Sequence, residues 1–285
     1  MSKIDEFESM FKSAAKPVFH IDPIRISRVS IVVDQDINDA TDYVRRVESF
    51  LNVLNTAEHQ IVIRHLGDND FHNVAELIER LENDNTDLVC TYRNLRSDPG
   101  DQCYSLGQYV DVLTQATRVP VLLLPRPEEL RDGTLADTDR VMLMTDHLAG
   151  DSQLITYAAM FTQEGGELIL AHVEDEQHFE RYMQVISKIP SIDTDSAREE
   201  ISEQLLKEPL DYIHSCQAGL RAAAVPVTVT PLVTFGHHLI DYRKIVDVHN
   251  VDLLVMHTKD EDQLAMHGLA YPVTVEMRHV PLLLI

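Results

Sequence analysis

The chain has 285 residues, 44% of them hydrophobic and 25% charged, with 47 acids against 24 bases and a formal net charge of −23. The length gives room for two domains of ordinary size, and the balance is that of a soluble globular protein. A surface this acidic repels nucleic acid and anionic membranes, and nothing approaches the roughly 18 consecutive apolar residues of a transmembrane helix.

Residues 1–20 open the chain with charged and apolar residues mixed. They lack the apolar core of an export signal. Ile4, Phe7, Met10 and Phe11 share one helical face, which predicts an N-terminal helical extension. The three cysteines, Cys90, Cys103 and Cys216, have no paired spacing. Neither a disulfide framework nor a zinc ribbon is expected, and a cytoplasmic location is.

Next comes a repeat. Arg28-Val29-Ser30-Ile31-Val32-Val33-Asp34 matches Arg140-Val141-Met142-Leu143-Met144-Thr145-Asp146. Each is an apolar run without alternation, the pattern of a strand buried on both faces of a parallel sheet. Thr86-Asp87-Leu88-Val89-Cys90 answers Val251-Asp252-Leu253-Leu254-Val255-Met256. Gly107 stands thirteen residues before Pro120, as Gly268 stands thirteen before Pro281. Each half closes on an apolar strand, Val119–Leu124 and Val280–Ile285. The first half is shorter: 53 residues separate Asp34 from Asp87, against 106 between Asp146 and Asp252. It lacks about one strand–helix unit, and its middle strand, Gln60–His65, aligns with either Glu167–His172 or Val227–Val233.

The second half also carries helical patterns. They fall at 149–164 (Leu154, Ala158, Phe161), at 177–189 (Phe179, Met183, Ile186, Ile189) and at 196–223 (Ile201, Leu205, Ile213). Ser196 and Glu199 are spaced as a capping box for the last of these, and Pro209 is expected to kink or split it. Strands alternating with helices predict α/β doubly wound parallel sheets. The expected domains are 24–126, shortened, and 138–285, complete with five strands, with a linker at 126–139.

This order of elements resembles the universal stress protein family, in a tandem two-domain form with the first domain shortened. The resemblance implies the adenine nucleotide alpha hydrolase-like fold, a five-stranded parallel sheet with helices on both faces. Nucleotide-binding members hold ATP at the carboxyl ends of the strands. There Asp-Leu-Ile-Val-Met leads into a loop whose glycines let backbone N–H groups close on the triphosphate. In this chain His257 takes the first glycine position and Asp260 the second, within the acidic run Asp260-Glu261-Asp262, and Gly268 alone remains. In the first half Tyr92 and Leu95 stand at those positions and Gly107 remains. The candidate nucleotide-binding residues that the resemblance implies are Thr145, Asp146, His172, Val173, His257, Thr258 and Gly268.

Other chemistry finds little support. His237, His238, His257 and His267 fall in loops, but there is no His-x-x-x-His on a helix and no cysteine pair, so no metal site is expected. There is no Gly-x-Ser-x-Gly nucleophile motif. Cys90 reads as a buried, inert thiol. Arg93 and Arg96 could meet a small anion, or offset Asp98 and Asp101 as surface pairs. The expected protein has no catalytic residues and no resident cofactor, ATP or AMP being less favoured. It acts in stress response through protein partners or self-association. Its halves are expected to pair within the chain as a pseudo-dimer, with a homodimer as a further step. A sensor binding ATP or AMP through a non-standard loop, and a small-ligand or metal module, are the alternatives.

Overall fold

The computed structural model describes residues 18–37, 39–97, 105–130, 135, 137–145, 148, 150–258, 266 and 270–285. The helix expected at the N-terminus therefore lies outside the described residues, except that 18–20 are irregular.

Among the described residues nine strands form a single sheet in the order β2-β1-β3-β4-β9-β8-β5-β6-β7. They are β1 (Arg28–Val32), β2 (Val62–Leu66), β3 (Leu88–Tyr92), β4 (Val121–Leu124), β5 (Arg140–Met144), β6 (Glu167–Asp175), β7 (Thr228–Gly236), β8 (Leu253–Met256) and β9 (Leu282–Leu284). The helices are α1 (Thr41–Leu51), α2 (Val74–Asn83), α3 (Gln108–Ala116), α4 (Ser152–Phe161), α5 (Glu176–Ile186), α6 (Thr194–Ala222), α7 (His238–His249) and α8 (Ala270–Glu276). Among the described residues every strand pair is parallel except one. That exception is β4 against β9, with Val121 opposite Leu284, Leu122 opposite Leu283 and Leu123 opposite Leu282. All six side chains are buried. Because the seam is antiparallel, the carboxyl ends of β1–β4 and those of β5–β9 open at opposite ends of the sheet.

The central strands are buried along almost their whole length. This is why they read in sequence as unbroken apolar runs. The sheet edges β2 and β7 are half-exposed and mixed in composition. The topology also settles the alignment of the short half. β2 pairs with β1 as β6 pairs with β5, so the middle strand of the first half corresponds to β6 and not to β7, with Val62–Leu66 standing where Glu167–Ala171 stands. Among the described residues no strand lies beside β2 where β7 lies beside β6.

The repeated aspartates have one structural job. Asp87 Oδ2 accepts from the N–H groups of Ser27 (2.8 Å) and Arg28 (2.9 Å) at the start of β1. Asp252 Oδ2 accepts from Arg140 N–H (2.9 Å) at the start of β5. Each in turn donates its own N–H to the carbonyl of that arginine, at 2.8 Å in both halves. The repeat therefore records a strand-end cap, which satisfies backbone groups where the strands begin.

Two expectations about α6 are corrected. The helix begins at Thr194 behind Asp193, whose side chain accepts from Asp195 N–H (3.2 Å). Ser196 donates its hydroxyl to that same carboxylate (3.0 Å) and forms no box with Glu199. Nor does Pro209 split the helix, which runs unbroken to Ala222. Contacts on both sides of Pro209 anchor the helix. Before it, Arg198 pairs with Glu180 and stacks over Phe179 of α5. After it, Ile213, Cys216 and Leu220 are buried. Helices α4 and α5 are shorter than their sequence patterns, and Ile189, expected on the buried face, lies beyond α5 and is exposed.

The segment before β1 crosses onto the second half. Phe19 N–H donates to Ser215 Oγ (3.1 Å), His20 N–H to Ser152 Oγ (3.3 Å) and Asp22 N–H to Thr156 Oγ1 (3.2 Å). The Phe19 ring lies against Gly219 of α6, where a Cβ would come within 2.6 Å of it.

The seam carries a prediction. Truncating Leu283 leaves a cavity in a layer with no solvent access. Leu283→Ala should lower unfolding free energy by about 2–5 kcal/mol, measured by urea titration with a probe in each half. Both probes should shift together.

Candidate functional site

In the first half the carboxyl ends of β1 and β3 are closed by the chain's own groups. The Tyr92 hydroxyl donates to Asp34 Oδ1 (2.5 Å) and accepts from Asp34 N–H (3.0 Å). Burial raises the Tyr92 pKa, so the hydroxyl stays a donor. Asp34 Oδ2 accepts the backbone N–H of Arg96 at 2.9 Å. An internal carboxylate thus occupies a backbone donor of the loop that, by the resemblance, would face a phosphate. Arg126, from the linker, lies over the Tyr92 ring, with its Cζ 5.1 Å from the centroid, and stands 4.0 Å from Asp34. Its Nη1 donates to the carbonyls of Arg93 (3.2 Å) and Asn94 (3.1 Å).

The same loop passes through left-handed backbone at Asn94 (φ 54°) and Arg96 (φ 59°). Non-glycine residues take that conformation at a cost of about 1–2 kcal/mol each, offset here by the bonds from Asp34 and Arg126. Gly107 is needed for packing: it has φ 84°, and a Cβ there would lie 2.7 Å from Asn94 Cα.

Asp98 and Asp101 lie outside the described residues, and the described partners of Arg93 and Arg96 are elsewhere. Arg93 is 1% exposed. It crosses the seam to the end of α8, where Nε and Nη2 donate to the Thr274 carbonyl (2.9 and 2.8 Å) and Nη2 also to that of Met277 (2.9 Å). A cation at a helix C-terminus satisfies carbonyls that the helix leaves open. Burial lowers its pKa to about 10, which keeps it charged at neutral pH. Arg96 pairs with Asp68 (2.8 Å), stacks over Phe71 and donates to the Asp68 and Phe71 carbonyls.

In the second half the carboxyl ends of β5, β6 and β8 bring Thr145, His172, Val173 and His257 to one end of the sheet. Met144 is paired with Ala171 and Leu143 with Val255, which puts Thr145, His172 and His257 side by side, while β6 itself runs on beside β7 to Asp175. His172 is buried, with Nε2 3.2 Å from Glu174 Oε2 and Nδ1 without a partner. Val173 N–H, at the strand end that the resemblance puts beside adenine, donates to the Tyr242 hydroxyl (3.2 Å), which reaches the Thr145 carbonyl at 3.4 Å. His257 Nε2 lies 2.8 Å from Asp151, the cap of α4. Thr258 turns away: its N–H (2.9 Å) and hydroxyl (3.1 Å) both donate to the Ile285 carbonyl. Asp146 and Gly268 lie outside the described residues.

Both halves therefore put a ring at the first glycine position, and each ring reaches an acid after the first strand: Tyr92 to Asp34, His257 to Asp151. Tyr242, Asp151 and Arg126 were missed in the sequence reading. Among the described residues no three or more histidine, cysteine, aspartate or glutamate side chains gather as a metal would need. His237 and His238 sit at the start of α7, where His237 N–H donates to Asp241 (2.7 Å) and the His238 ring lies 6.3 Å from that of Tyr242. His267 is outside the described residues.

The strand order and crossovers define a doubly wound α/β protein with a seam at its centre. No family model matches the sequence, and no curated protein matches it. Solved structures do. The chain is similar to a putative universal stress protein from Pseudomonas aeruginosa UCBPP-PA14, with 11% identity over 91% of this chain and 93% of that one and a TM-score of 0.48. It is similar to a universal stress protein from Archaeoglobus fulgidus DSM 4304, with 15% identity over 90% and 87% and a TM-score of 0.46. A functionally unknown protein from Pseudomonas aeruginosa PAO1 is also similar, with 10% identity over 91% and 92% and a TM-score of 0.47.

Two predictions come from these contacts. Arg93→Met keeps the stem and removes three charge-assisted bonds at the seam. It should cost at least about 2 kcal/mol in chemical denaturation, and Arg93→Lys should recover part of that loss. Cys90 and Cys216 are buried, and burial raises both thiols, Cys216 to about 12. Neither should react with a thiol-specific disulfide reagent at pH 8 until the protein is unfolded, as read by mass-mapped labelling.

Proposed function

We propose that this is a universal stress protein-like protein without enzymatic activity, acting in stress response through protein contacts, with degenerate nucleotide sites in both halves. The observation that carries the reading is that groups which would meet a nucleotide are bonded to the chain itself. Arg96 N–H is taken by Asp34, Val173 N–H by Tyr242 and the Thr258 hydroxyl by the Ile285 carbonyl. A ligand must break these bonds before making its own, and only the difference counts as affinity. The intrachain seam makes the two halves a pseudo-dimer in this reading. Among the described residues no helix is long and apolar enough to cross a membrane.

The second reading is an adenine-nucleotide sensor in the second half. In its favour stands the buried Nδ1 of His172, an unpaired polar atom at the strand ends. Charge opposes it. Asp260, Glu261 and Asp262 form an acidic run where the resemblance places the triphosphate loop. Like charges a few ångströms apart cost on the order of 1–4 kcal/mol per pair at surface-like dielectric. A bridging Mg²⁺ would reverse that, since it joins carboxylates to phosphates.

Calorimetric titration with ATP, once with Mg²⁺ and once with chelator, decides between the readings. The expected outcome is no micromolar binding in either condition and no phosphate release on incubation. Micromolar binding would replace the first reading with the sensor. Binding with Mg²⁺ alone would assign the acids as metal ligands.

A further inference from the structure

Helices α4 and α6 form a groove that the chain fills with its own residues 18–22. One wall carries Ser152 and Thr156 of α4, and the other carries Tyr212, Ser215 and Gly219 of α6. The groove grips backbone. Thr156 donates its hydroxyl to the Ser152 carbonyl (2.8 Å), and Ser215 donates its own to the Tyr212 carbonyl (2.8 Å). Each oxygen is thereby left as an acceptor for an N–H in the groove: Thr156 takes that of Asp22, and Ser215 that of Phe19. Ser152 Oγ takes the N–H of His20 and stands 3.2 Å from the Tyr212 hydroxyl. Every peptide has N–H groups, so three hydroxyls arranged in this way can hold a segment of varied sequence.

Gly219 supplies the selectivity. A glycine inside a helix costs roughly 0.5–1 kcal/mol relative to alanine. Here it opens the notch that admits the Phe19 ring, which a Cβ would meet at 2.6 Å. The hold on the segment is nevertheless shallow. Of residues 18–22 only Phe19 is buried, while Val18 is 70% exposed and Ile21 41%. The segment belongs to no helix or strand, and its bonds to the groove run to side chains at 3.1–3.3 Å. Elements with so few buried contacts open locally at far less than the cost of global unfolding.

We propose that the α4–α6 groove docks a non-helical segment of another protein, and that residues 18–22 occupy it in cis until such a segment displaces them. The segment seated there defines the chemistry of the occupant. It has an aromatic residue for the Gly219 notch. It has free N–H groups at that residue, at the next and at the third after it, and so no proline at those three positions. The proposal gives a place to the protein contacts of the reading above and rests on that reading. A tethered occupant acts at an effective concentration in the millimolar range. Cis occupancy therefore sets a threshold that only a well-fitting partner passes.

The probe is a fluorescein-labelled peptide copying residues 17–24, titrated into the full chain by fluorescence polarisation. The expected result is saturable binding to Phe19→Ala and binding about tenfold or more weaker to wild type, where the cis segment competes. Hydrogen exchange on wild type should show residues 18–22 losing protection as the peptide saturates. Adding Gly219→Ala to Phe19→Ala fills the notch and should abolish binding, as should replacing the phenylalanine of the peptide by alanine. If Phe19→Ala fails to fold by circular dichroism, Phe19→Leu carries the same comparison. A peptide that binds only the variant and never displaces residues 18–22 from wild type makes that segment a fixed brace and overturns the proposal. Binding that survives Gly219→Ala also overturns it. Sedimentation in the same buffer reads the other occupant: a wild-type dimer that the peptide dissolves assigns the groove to a second copy and overturns the assignment to a partner. No nucleotide enters these titrations, so their failure is distinguishable from a failure of the reading above, which the ATP titration decides.

Discussion

The antiparallel pairing of β4 with β9 is the constraint on which the rest of the molecule depends. Two parallel sheet segments would each expose an apolar closing strand, and an open apolar edge is a template for aggregation. Joining Val121–Leu124 to Leu282–Leu284 removes both edges and fuses two cores into one. It also sets everything that spans the seam. Arg93 reaches the end of α8 because the carboxyl end of β3 lies beside the chain entering β9. The linker passes over the carboxyl ends of the first half for the same reason, which lets Arg126 stack on Tyr92. The segment before β1 fastens the two halves a second time, through Phe19 against α6.

The two half-sites differ in how they are closed. The first is filled outright, by a tyrosine, a carboxylate and an arginine that satisfy one another. The second is spanned more loosely, by the His257–Asp151 pair and by Tyr242 holding β5 to β6. In the first half the loop after β3 keeps its left-handed turns at the non-glycine residues Asn94 and Arg96 because neighbours restrain it.

Much of this was legible in sequence, and the limits have physical causes. The central strands stood out because burial on both faces demands apolar runs, and the Asp87 and Asp252 caps repeat because both halves begin a strand at the same place. β2 was harder to align, since an edge strand is half-exposed and its composition mixed. The start of α6 was misread because Ser196 and Glu199 imitate a capping box, while Asp193 one turn earlier does the capping. Arg93 was misread because its partners are backbone carbonyls 181 and 184 residues away, which leave no mark in a sequence. Tyr242 and Asp151 were missed for the same reason. Of the proposed site, Thr145, His172, Val173 and His257 do come to one end of the sheet, while Thr258 bonds the Ile285 carbonyl.

Covalent connection of the two halves has an evolutionary and kinetic corollary. In an assembly of identical subunits every substitution appears twice and must suit both sides of the interface at once. One polypeptide carrying both sides is free of that rule. Its two parts are free to differ, and among the described residues the strand order is unequal on the two sides of the seam. The tether also replaces a bimolecular encounter by an intramolecular one, so the β4·β9 union is insensitive to dilution. An organism could hold this protein at a handful of copies per cell without the two cores parting.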